Sequence, residues 1–230
     1  MCSSDLIFLR FTENTLSGQP QLLLALIIAA ITGMLISALH AFAAINLKAD
    51  QIISGTALNM LAPAFAVFSA RLFLGDSIIN FKNTFIIEEV PFLSNIPVIG
   101  DIFFTKAYIT TYIGIIILIV SQFVLFKTRF GLRLRACGEY PQAPDSVGID
   151  VIKMRWIGVL ISGVLGGIGG MVFVIPNSTN FNGTVSGYGF LALAVMILGQ
   201  WHPMKILYGA LFFGMLKTMS AIYSGIPFFN

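Results

Sequence analysis

The sequence predicts an all-α fold, a polytopic helical membrane protein with about six spans or re-entrant segments. Hydrophobic residues make up 57% of the 230 residues and charged residues only 10%, and the mean hydropathy is +0.91. An ordinary soluble domain carries about a quarter charged residues. Because so apolar a chain has too few polar groups to cover a water-facing surface, the composition excludes a soluble fold. Long uncharged runs are the second observation, since about 20 helical residues cross the ~30 Å hydrocarbon core.

Six apolar segments follow one another along the chain. The first lies in a stretch without Lys, Arg, Asp or Glu between Glu13 and Lys48. The uncharged run 156–204 is too long for one helix, and we expect Pro176 and the polar stretch 177–189 to divide it. The predicted segments are 22–44, 51–70, 107–126, 156–176, 189–200 and 206–224. The fifth segment can be a span or a re-entrant helix.

A polar, basic island at 127–155 separates the third segment from the fourth. It holds six of the thirteen Lys and Arg residues, and such clusters stay on the cytoplasmic side of a membrane. Loops 71–106 and 177–189 are then extracytoplasmic, although charge alone leaves the opposite orientation open. We expect an impermeant reagent to reach a cysteine placed at position 182 from outside the cell, and not native Cys137.

Several classes of function lack their sequence signatures. The net charge of +3 is concentrated in one loop, so it indicates orientation rather than binding to nucleic acid. The chain has no GxxxxGK[ST] phosphate loop, and we expect neither an enzyme nor a cofactor. His40 and His202 have no second ligand at metal-binding spacing, so no metal site is predicted. Two cysteines make no disulfide framework.

A polar face is predicted on the second segment. Thr56, Asn59 and Pro63 recur at i, i+3 and i+7, which places them on one side of a helix. Polar groups within a bilayer core must be satisfied by neighbours, water or cargo. This face therefore either lines a solute path or bonds a neighbouring helix.

Small and charged residues in the later segments have structural interpretations. Gly163, Gly166, Gly167 and Gly170 lie at i, i+3, i+4 and i+7 and predict close helix packing. Lys217 interrupts the last segment, and it either extends to the outer surface or lines a polar cavity. The stretch Thr184–Gly189 looks like a potassium-channel filter, but the inserted Ser186 breaks the required register of carbonyl groups.

Four motifs carry a family resemblance. The island sequence GLRLRACGEYPQAPDSVGID resembles the cytoplasmic coupling loop of ABC importer permeases that serve simple sugars, nucleosides and branched-chain amino acids. LKADQIISGTALNML, IPVIGDIFF and GYGFLALAVMILGQWHPM are similar to other parts of that family, in the same order. The sugar and nucleoside branch matches best. Pro144 stands where the family usually has alanine; if the coupling helix begins at Pro141, it lies in the first turn, where a missing N–H is tolerated.

The resemblance implies a permease subunit that imports a nucleoside or simple sugar. Residues 1–230 would form one transmembrane permease domain in the bacterial cytoplasmic membrane, with 127–155 as its coupling loop. Expected partners are the lipid bilayer, a separate ATPase subunit that binds ATP, a second permease subunit in a homo- or heterodimer, and an extracytoplasmic solute-binding protein. The implied ATPase contacts are Arg133, Arg135, Gly138, Glu139, Pro141, Gln142, Asp145 and Gly148.

Some questions stay open at this stage. A branched-chain amino acid permease of the same family is the alternative function, and a channel or a secondary carrier is a rival class. The spans hold no chain of ionisable residues for a secondary carrier. The sequences at both ends, MCSSDL and IPFFN, suggest a piece of a longer protein that has further helices. The solute itself is not predicted.

Overall fold

The computed structural model is almost entirely helical. It describes residues 6–10, 18–76, 78–80, 85–89, 105–177, 180–181, 183, 185 and 187–224. Residues 6–10 form a short helical segment. The elements that follow it are α1 (Gln19–Ala41) with a π-helical turn (Phe42–Asn46), α2 (Gln51–Leu74), β1 (Ile79–Asn80), β2 (Ile86–Glu89), β3 (Thr105–Tyr108), α3 (Ile109–Lys127), α4 (Arg129–Glu139), α5 (Gln142–Ser146), α6 (Val151–Asn177), β4 (Asn180–Phe181), α7 (Tyr188–Leu198) and α8 (Pro203–Ser224).

Four helices are long and apolar enough to cross a membrane. They are Gln19–Asn46, Gln51–Leu74, Ile109–Lys127 and Val151–Pro176, and they match the first four predicted segments. Large apolar side chains such as Met60, 80% exposed, and Phe123, 61% exposed, cover their outer surfaces. A helical protein with this surface is solvated by lipid. The prediction of an all-α, polytopic membrane protein is confirmed.

The fifth and sixth predicted segments form a helical hairpin. With 11 residues, α7 is only ~16 Å long, about half of the hydrocarbon thickness, so it does not cross the membrane alone. A tight turn follows, in which Gln200 and Trp201 have positive φ angles of 51° and 62°. The 22 residues of α8 then run back along α7. A Cβ on Gly199 would lie 2.7 Å from the backbone nitrogen of Ile206, so only glycine permits this close turn.

The closest helix contact joins α1 to α6, which run antiparallel. Gly33 of α1 lies against Gly163 and Gly167 of α6, and a Cβ on Gly33 would be 3.1 Å from the Cα of Gly167. Ser37 and Ala29 continue the contact on either side of Gly33. Small residues therefore allow the two backbones to meet, as in other close-packed membrane helices.

The four predicted packing glycines do not all share this contact. Gly163 and Gly167 are buried against α1, and Gly170 is half-buried. A Cβ on Gly166 would have no atom within 4 Å, so the packing surface is narrower than the glycine pattern suggests. Whether a glycine of α6 allows close packing therefore depends on which residues of α1 lie opposite it, and not on its spacing alone.

The apolar core lies at the end of the bundle where α1 begins and α2 and α6 end. Its fully buried side chains are Leu6, Leu22, Ile79, Phe85, Met171 and Ile175. At this end β1 pairs with β4, joining Ile79 to Phe181 and Asn80 to Asn180. The two predicted extracytoplasmic loops therefore meet on one side. The strands β2 and β3 pair within the first loop, whereas the motif at 96–104 lies outside the described residues.

Replacement of Gly167 by alanine should destabilise the protein. The new Cβ would collide with the carbonyl oxygen of Ala29, and such overpacking costs about 1–3 kcal/mol. Gly166→Ala is the matched control, because its Cβ enters open space and alanine favours a helix by up to about 1 kcal/mol over glycine. Thermal unfolding in detergent should therefore show a lower melting temperature for Gly167→Ala only. Equal melting temperatures would contradict the assigned contact.

Candidate functional site: a cytoplasmic loop and a polar face of α2

The polar island folds into two short helices, α4 and α5, at the end of α3. Thr128 makes the corner: its Oγ1 donates to the carbonyl oxygen of Val124 at 2.6 Å and accepts from the N–H of Gly131 at 3.2 Å. A Cβ on Gly131 would lie 2.6 Å from the carbonyl carbon of Leu125. Glycine at this position therefore permits the sharp bend from the membrane helix into the loop.

Pro144 is accommodated in α5. Pro141 is the N-cap residue and Gln142 begins the helix, so Pro144 is its third residue, where a backbone N–H is not needed for the helical ladder. The Pro144 side chain is buried, and its carbonyl oxygen accepts from the N–H of Ile149 at 3.0 Å. Gly148 closes the turn with a φ of +79°, a conformation that favours glycine.

The predicted coupling residues lie on the surface of this loop. Exposed side chains or backbone occur at Arg133, Arg135, Gly138, Glu139, Gln142, Asp145 and Gly148, while Pro141 is half-buried. Sequence reasoning missed two exposed apolar residues, Val147 and Tyr140, which are 74% and 61% exposed. Their signal was available: apolar side chains in a polar loop outside the membrane have no core or lipid to enter. Both side chains are therefore open to contact from outside the chain.

A stack of side chains connects the loop to the turn between α7 and α8. The guanidinium carbon of Arg135 lies 4.6 Å from the centre of the Phe126 ring. Phe126 in turn contacts the His202 ring, with 4.9 Å between the ring centroids. Arg135 therefore packs within the chain as well as facing the surface, and the loop and the turn lie at the same membrane face.

The start of α6 is held by Asp150. Its Oδ1 accepts from the backbone N–H of Lys153 at 3.0 Å, and its Oδ2 lies 3.4 Å from the Lys153 ammonium group. That backbone hydrogen bond holds the pKa of the Asp150 carboxyl below its usual value. The contact therefore favours the folded loop when the carboxylate is ionised and is lost as the pH falls through the lowered pKa.

The polar face of α2 continues a packed face of the same helix. Thr56, Asn59 and Pro63 are exposed in the chain, whereas Ala66 and Ala70, one and two turns further along the same stripe, are buried. The stripe is thus covered near the end of α2 and exposed near its start.

Gly183 lies against the covered part of this stripe. A Cβ on Gly183 would lie 3.3 Å from the carbonyl oxygen of Pro63 and 3.1 Å from the Val67 side chain. Non-helical backbone before α7 therefore reaches α2 near the middle of its length. Backbone of this kind is tolerated in a membrane where it is covered by protein or lines an aqueous cavity.

Asn59 differs from Thr56 in its hydrogen bonding. The Thr56 hydroxyl donates to the Ile53 carbonyl oxygen at 2.9 Å. Within the described part of the chain, the Asn59 amide has no hydrogen-bond partner. Because an unsatisfied amide in hydrocarbon costs several kcal/mol, we expect this side of α2 to face water, solute or another protein rather than lipid.

Cys137 does not report on membrane sidedness. Its side chain is only 1% exposed, so a thiol reagent would fail to reach it from either side. Absence of labelling at Cys137 would therefore not distinguish the two orientations, and the expected orientation stays a prediction. Val147 is the better position for such a label.

The helices define a polytopic membrane protein. The family described as "Branched-chain amino acid transport system / permease component" matches residues 6–228, and the chain belongs to that family. It is therefore a multi-pass protein of the cell membrane. No solved structure matches it.

Two curated relatives are permeases with nucleoside names. The chain is 47% identical over 205 residues to the nucleoside ABC transporter permease protein NupC of Lactococcus lactis, and the aligned region covers 89% of this chain and 65% of that protein. It is 45% identical over 209 residues to the guanosine ABC transporter permease protein NupQ of Bacillus subtilis, and here the aligned region covers 90% of this chain and 66% of that protein. The chain therefore spans just under two thirds of these relatives' length.

A third relative carries a sugar name. The putative glucose ABC transporter permease protein TsgC13 of Haloferax volcanii is 32% identical over 188 residues, 81% of this chain and 57% of that protein. The nucleoside permeases thus share more of this sequence than the glucose permease does.

Impermeant maleimide should label Val147→Cys only after the membrane is opened. We expect the loop that carries Val147 to lie on the basic, cytoplasmic side, and the side chain is exposed. Ile78→Cys, beside β1 at the opposite end of the bundle and 47% exposed, should react in intact cells. Both variants are made in a cysteine-free background and analysed by mass shift. Labelling of Val147→Cys in intact cells would reverse the topology.

Proposed function

We propose that the full-length protein is the transmembrane permease subunit of an ATP-driven importer of nucleosides. The names of the relatives at 45% and 47% identity support a nucleoside over a sugar or a branched-chain amino acid. The chain itself supplies the pathway, and ATP is bound and hydrolysed in a separate subunit. This division of labour agrees with a sequence that has membrane helices but no phosphate loop.

The loop formed by α4 and α5 docks the ATPase. The observation that carries this assignment is the exposed apolar pair Tyr140 and Val147 on a loop with fixed internal geometry. The Tyr140 hydroxyl donates to Gln142 Oε1 at 2.7 Å, and the Gly148 N–H donates to the Asp145 carbonyl oxygen at 3.0 Å. A short, rigid element can transmit a push from the ATPase, and the Arg135–Phe126–His202 stack lies between that element and α8.

The solute follows the face of α2 that holds Thr56 and Asn59. Nucleosides carry hydroxyls and base acceptors but no net charge, so neutral donors and acceptors suit them better than fixed charges. The Asn59 amide, with no partner in the described chain, offers two donors and one acceptor. A second permease subunit would complete the pathway, and a binding protein would deliver solute to the outer loops.

Val147→Asp should uncouple transport from ATP hydrolysis. Burial of a carboxylate in an apolar contact is unfavourable, and loss of an apolar anchor at the centre of an interface costs about 2 kcal/mol. The expected result is at least a tenfold loss of ATP-dependent nucleoside uptake with normal membrane insertion. Ser146→Asp, at the neighbouring exposed position, is the control for added charge.

Copurification measures the docking directly. Full-length protein with Val147→Asp should retain less ATPase subunit than protein with Ser146→Asp. Normal uptake and normal retention by Val147→Asp would remove the loop from the interface. Nucleoside uptake that does not require ATP would instead favour a channel or a secondary carrier.

Asn59→Leu should lower nucleoside uptake while protein level and ATPase retention stay normal. The substitution removes hydrogen-bonding groups worth about 0.5–1.5 kcal/mol each, which corresponds to roughly a two- to tenfold effect. Ala57→Leu, also exposed on α2 but on another side of the helix, is the matched control. Unchanged uptake by Asn59→Leu would make the amide a packing group rather than part of the path.

A further inference from the structure

A cation and two aromatic rings meet where α6, α7 and α8 come together. The Lys217 Nζ lies 3.3 Å from the centre of the Tyr188 ring. On α6, Phe173 lies beside the same ring, with 4.2 Å between centroids and 48° between the ring planes. Phe173 and Tyr188 are half-buried. We call Phe173, Tyr188 and Lys217 the aromatic–lysine cluster.

The cluster lies within the membrane. Lys217 is 14 residues from the start of α8, and Tyr188 is 10 residues from the end of α7. These separations place both side chains ~15–21 Å along the helices from the turn that contacts Phe126 at the cytoplasmic face. A hydrocarbon layer of about 30 Å therefore extends on both sides of them.

The Lys217 side chain is exposed, but its ammonium group is directed to the Tyr188 ring. Ile206 lies against Gly199 at the end of α7, Gly209 lies against Val195 within α7, and Lys217 lies on the same stripe, eleven residues after Ile206. On α7, Tyr188 likewise shares a stripe with Val195, which contacts Gly209. The last segment is therefore turned so that its charge covers an aromatic ring.

No carboxylate among the described residues neutralises Lys217. A lysine at the centre of a membrane helix costs about 2.5–3.5 kcal/mol, and such residues line pathways more often than they serve packing. A cation–π contact offsets about 0.5–2 kcal/mol of this cost. The remainder is a reason to expect a polar occupant beside the ammonium group.

We propose that the aromatic–lysine cluster binds the base of the transported solute. A planar base stacks on the Tyr188 ring, backed by Phe173, and the Lys217 ammonium turns from the ring to donate a hydrogen bond to a carbonyl or ring-nitrogen acceptor of the base. The inference rests on the proposed import of nucleosides and adds the residues that recognise the base.

Direct labelling tests the site without a substitution. Full-length permease, assembled with its ATPase and binding protein in proteoliposomes, is irradiated with 8-azidoguanosine. The modified peptides, mapped by mass spectrometry, should include those of Tyr188 or Lys217, and excess guanosine should prevent the labelling. Label found only elsewhere overturns the proposal. Protection by guanosine 5′-monophosphate but not by guanosine also overturns it, because it indicates an anion site.

Substitutions separate recognition from folding. Tyr188→Leu should lower guanosine uptake about tenfold, as expected for loss of base stacking, whereas Tyr188→Phe keeps the ring and should retain uptake. Tyr208→Leu is the matched control, because Tyr208 is nine residues from Lys217 and therefore on the opposite side of α8. Lys217→Met should reduce uptake of guanosine, and Lys205→Met, at the cytoplasmic end of α8, should not.

The outcomes distinguish this site from the proposed function. If the unaltered transporter imports guanosine with ATP while Tyr188→Leu and Lys217→Met transport normally, the cluster is structural and the importer assignment stands. If the unaltered transporter imports no nucleoside, the proposed function fails first. Selective loss in the two variants, at normal membrane levels and normal ATPase retention, supports the base site.

Discussion

The backbone contact between α1 and α6 is the constraint on which the arrangement of the other helices depends. Gly33 meets Gly163 and Gly167 without intervening side chains, so the two helices are held closer than side-chain packing would allow. Lipid supplies little hydrophobic force between helices, and close van der Waals contact must provide the association. The two proposed functional regions extend from this pair, because α6 begins just after the proposed coupling loop and carries Phe173 near its other end.

The cytoplasmic ends of the helices are joined by polar contacts rather than by a large apolar core. Trp156 of α6 donates from Nε1 to the Asn46 side-chain oxygen at 3.0 Å, and His40 Nδ1 lies 3.0 Å from the Ser54 hydroxyl oxygen. The outer ends, by contrast, share the buried cluster around Leu22 and Met171. A bundle that is tightly packed at one end and held by separate hydrogen bonds at the other is suited to opening on the loosely packed side.

The non-helical backbone before α7 allows side chains from three helices to meet within the membrane. Gly183 and Gly187 have φ angles of 82° and 79°, which helices do not allow, and the chain resumes helical geometry at Tyr188. An uninterrupted helix would bury all its backbone polar groups in its own hydrogen bonds. The short helix α7 instead begins within the membrane, so its first residue, Tyr188, can contact both α6 and α8.

Much of the architecture follows from the sequence because it rests on one-dimensional quantities. Uncharged length determines the four spanning helices, Pro176 and the polar residues after it divide the last long run, and the basic island marks the loop between α3 and α6. The resemblance in that loop also identified the correct family. The shortness of α7 follows from the helical boundary at Gly187, which the apolar run alone left open.

Contacts between residues far apart in the sequence could be identified only from the tertiary structure. Spacing put four glycines on one side of α6, but a Cβ on Gly166 would meet no neighbouring atom, whereas Gly163 and Gly167 lie against α1. Lys217 could have extended to the surface or lined a cavity, and only the position of Tyr188, 29 residues earlier, decides where its ammonium lies. Cys137 belongs to a polar loop yet is buried by its neighbours. The sequence by itself determined which segments are long and apolar enough to enter the membrane, because solvation depends on local composition. The tertiary structure decided which side chains meet, because helix rotation and helix pairing depend on residues far apart in the chain.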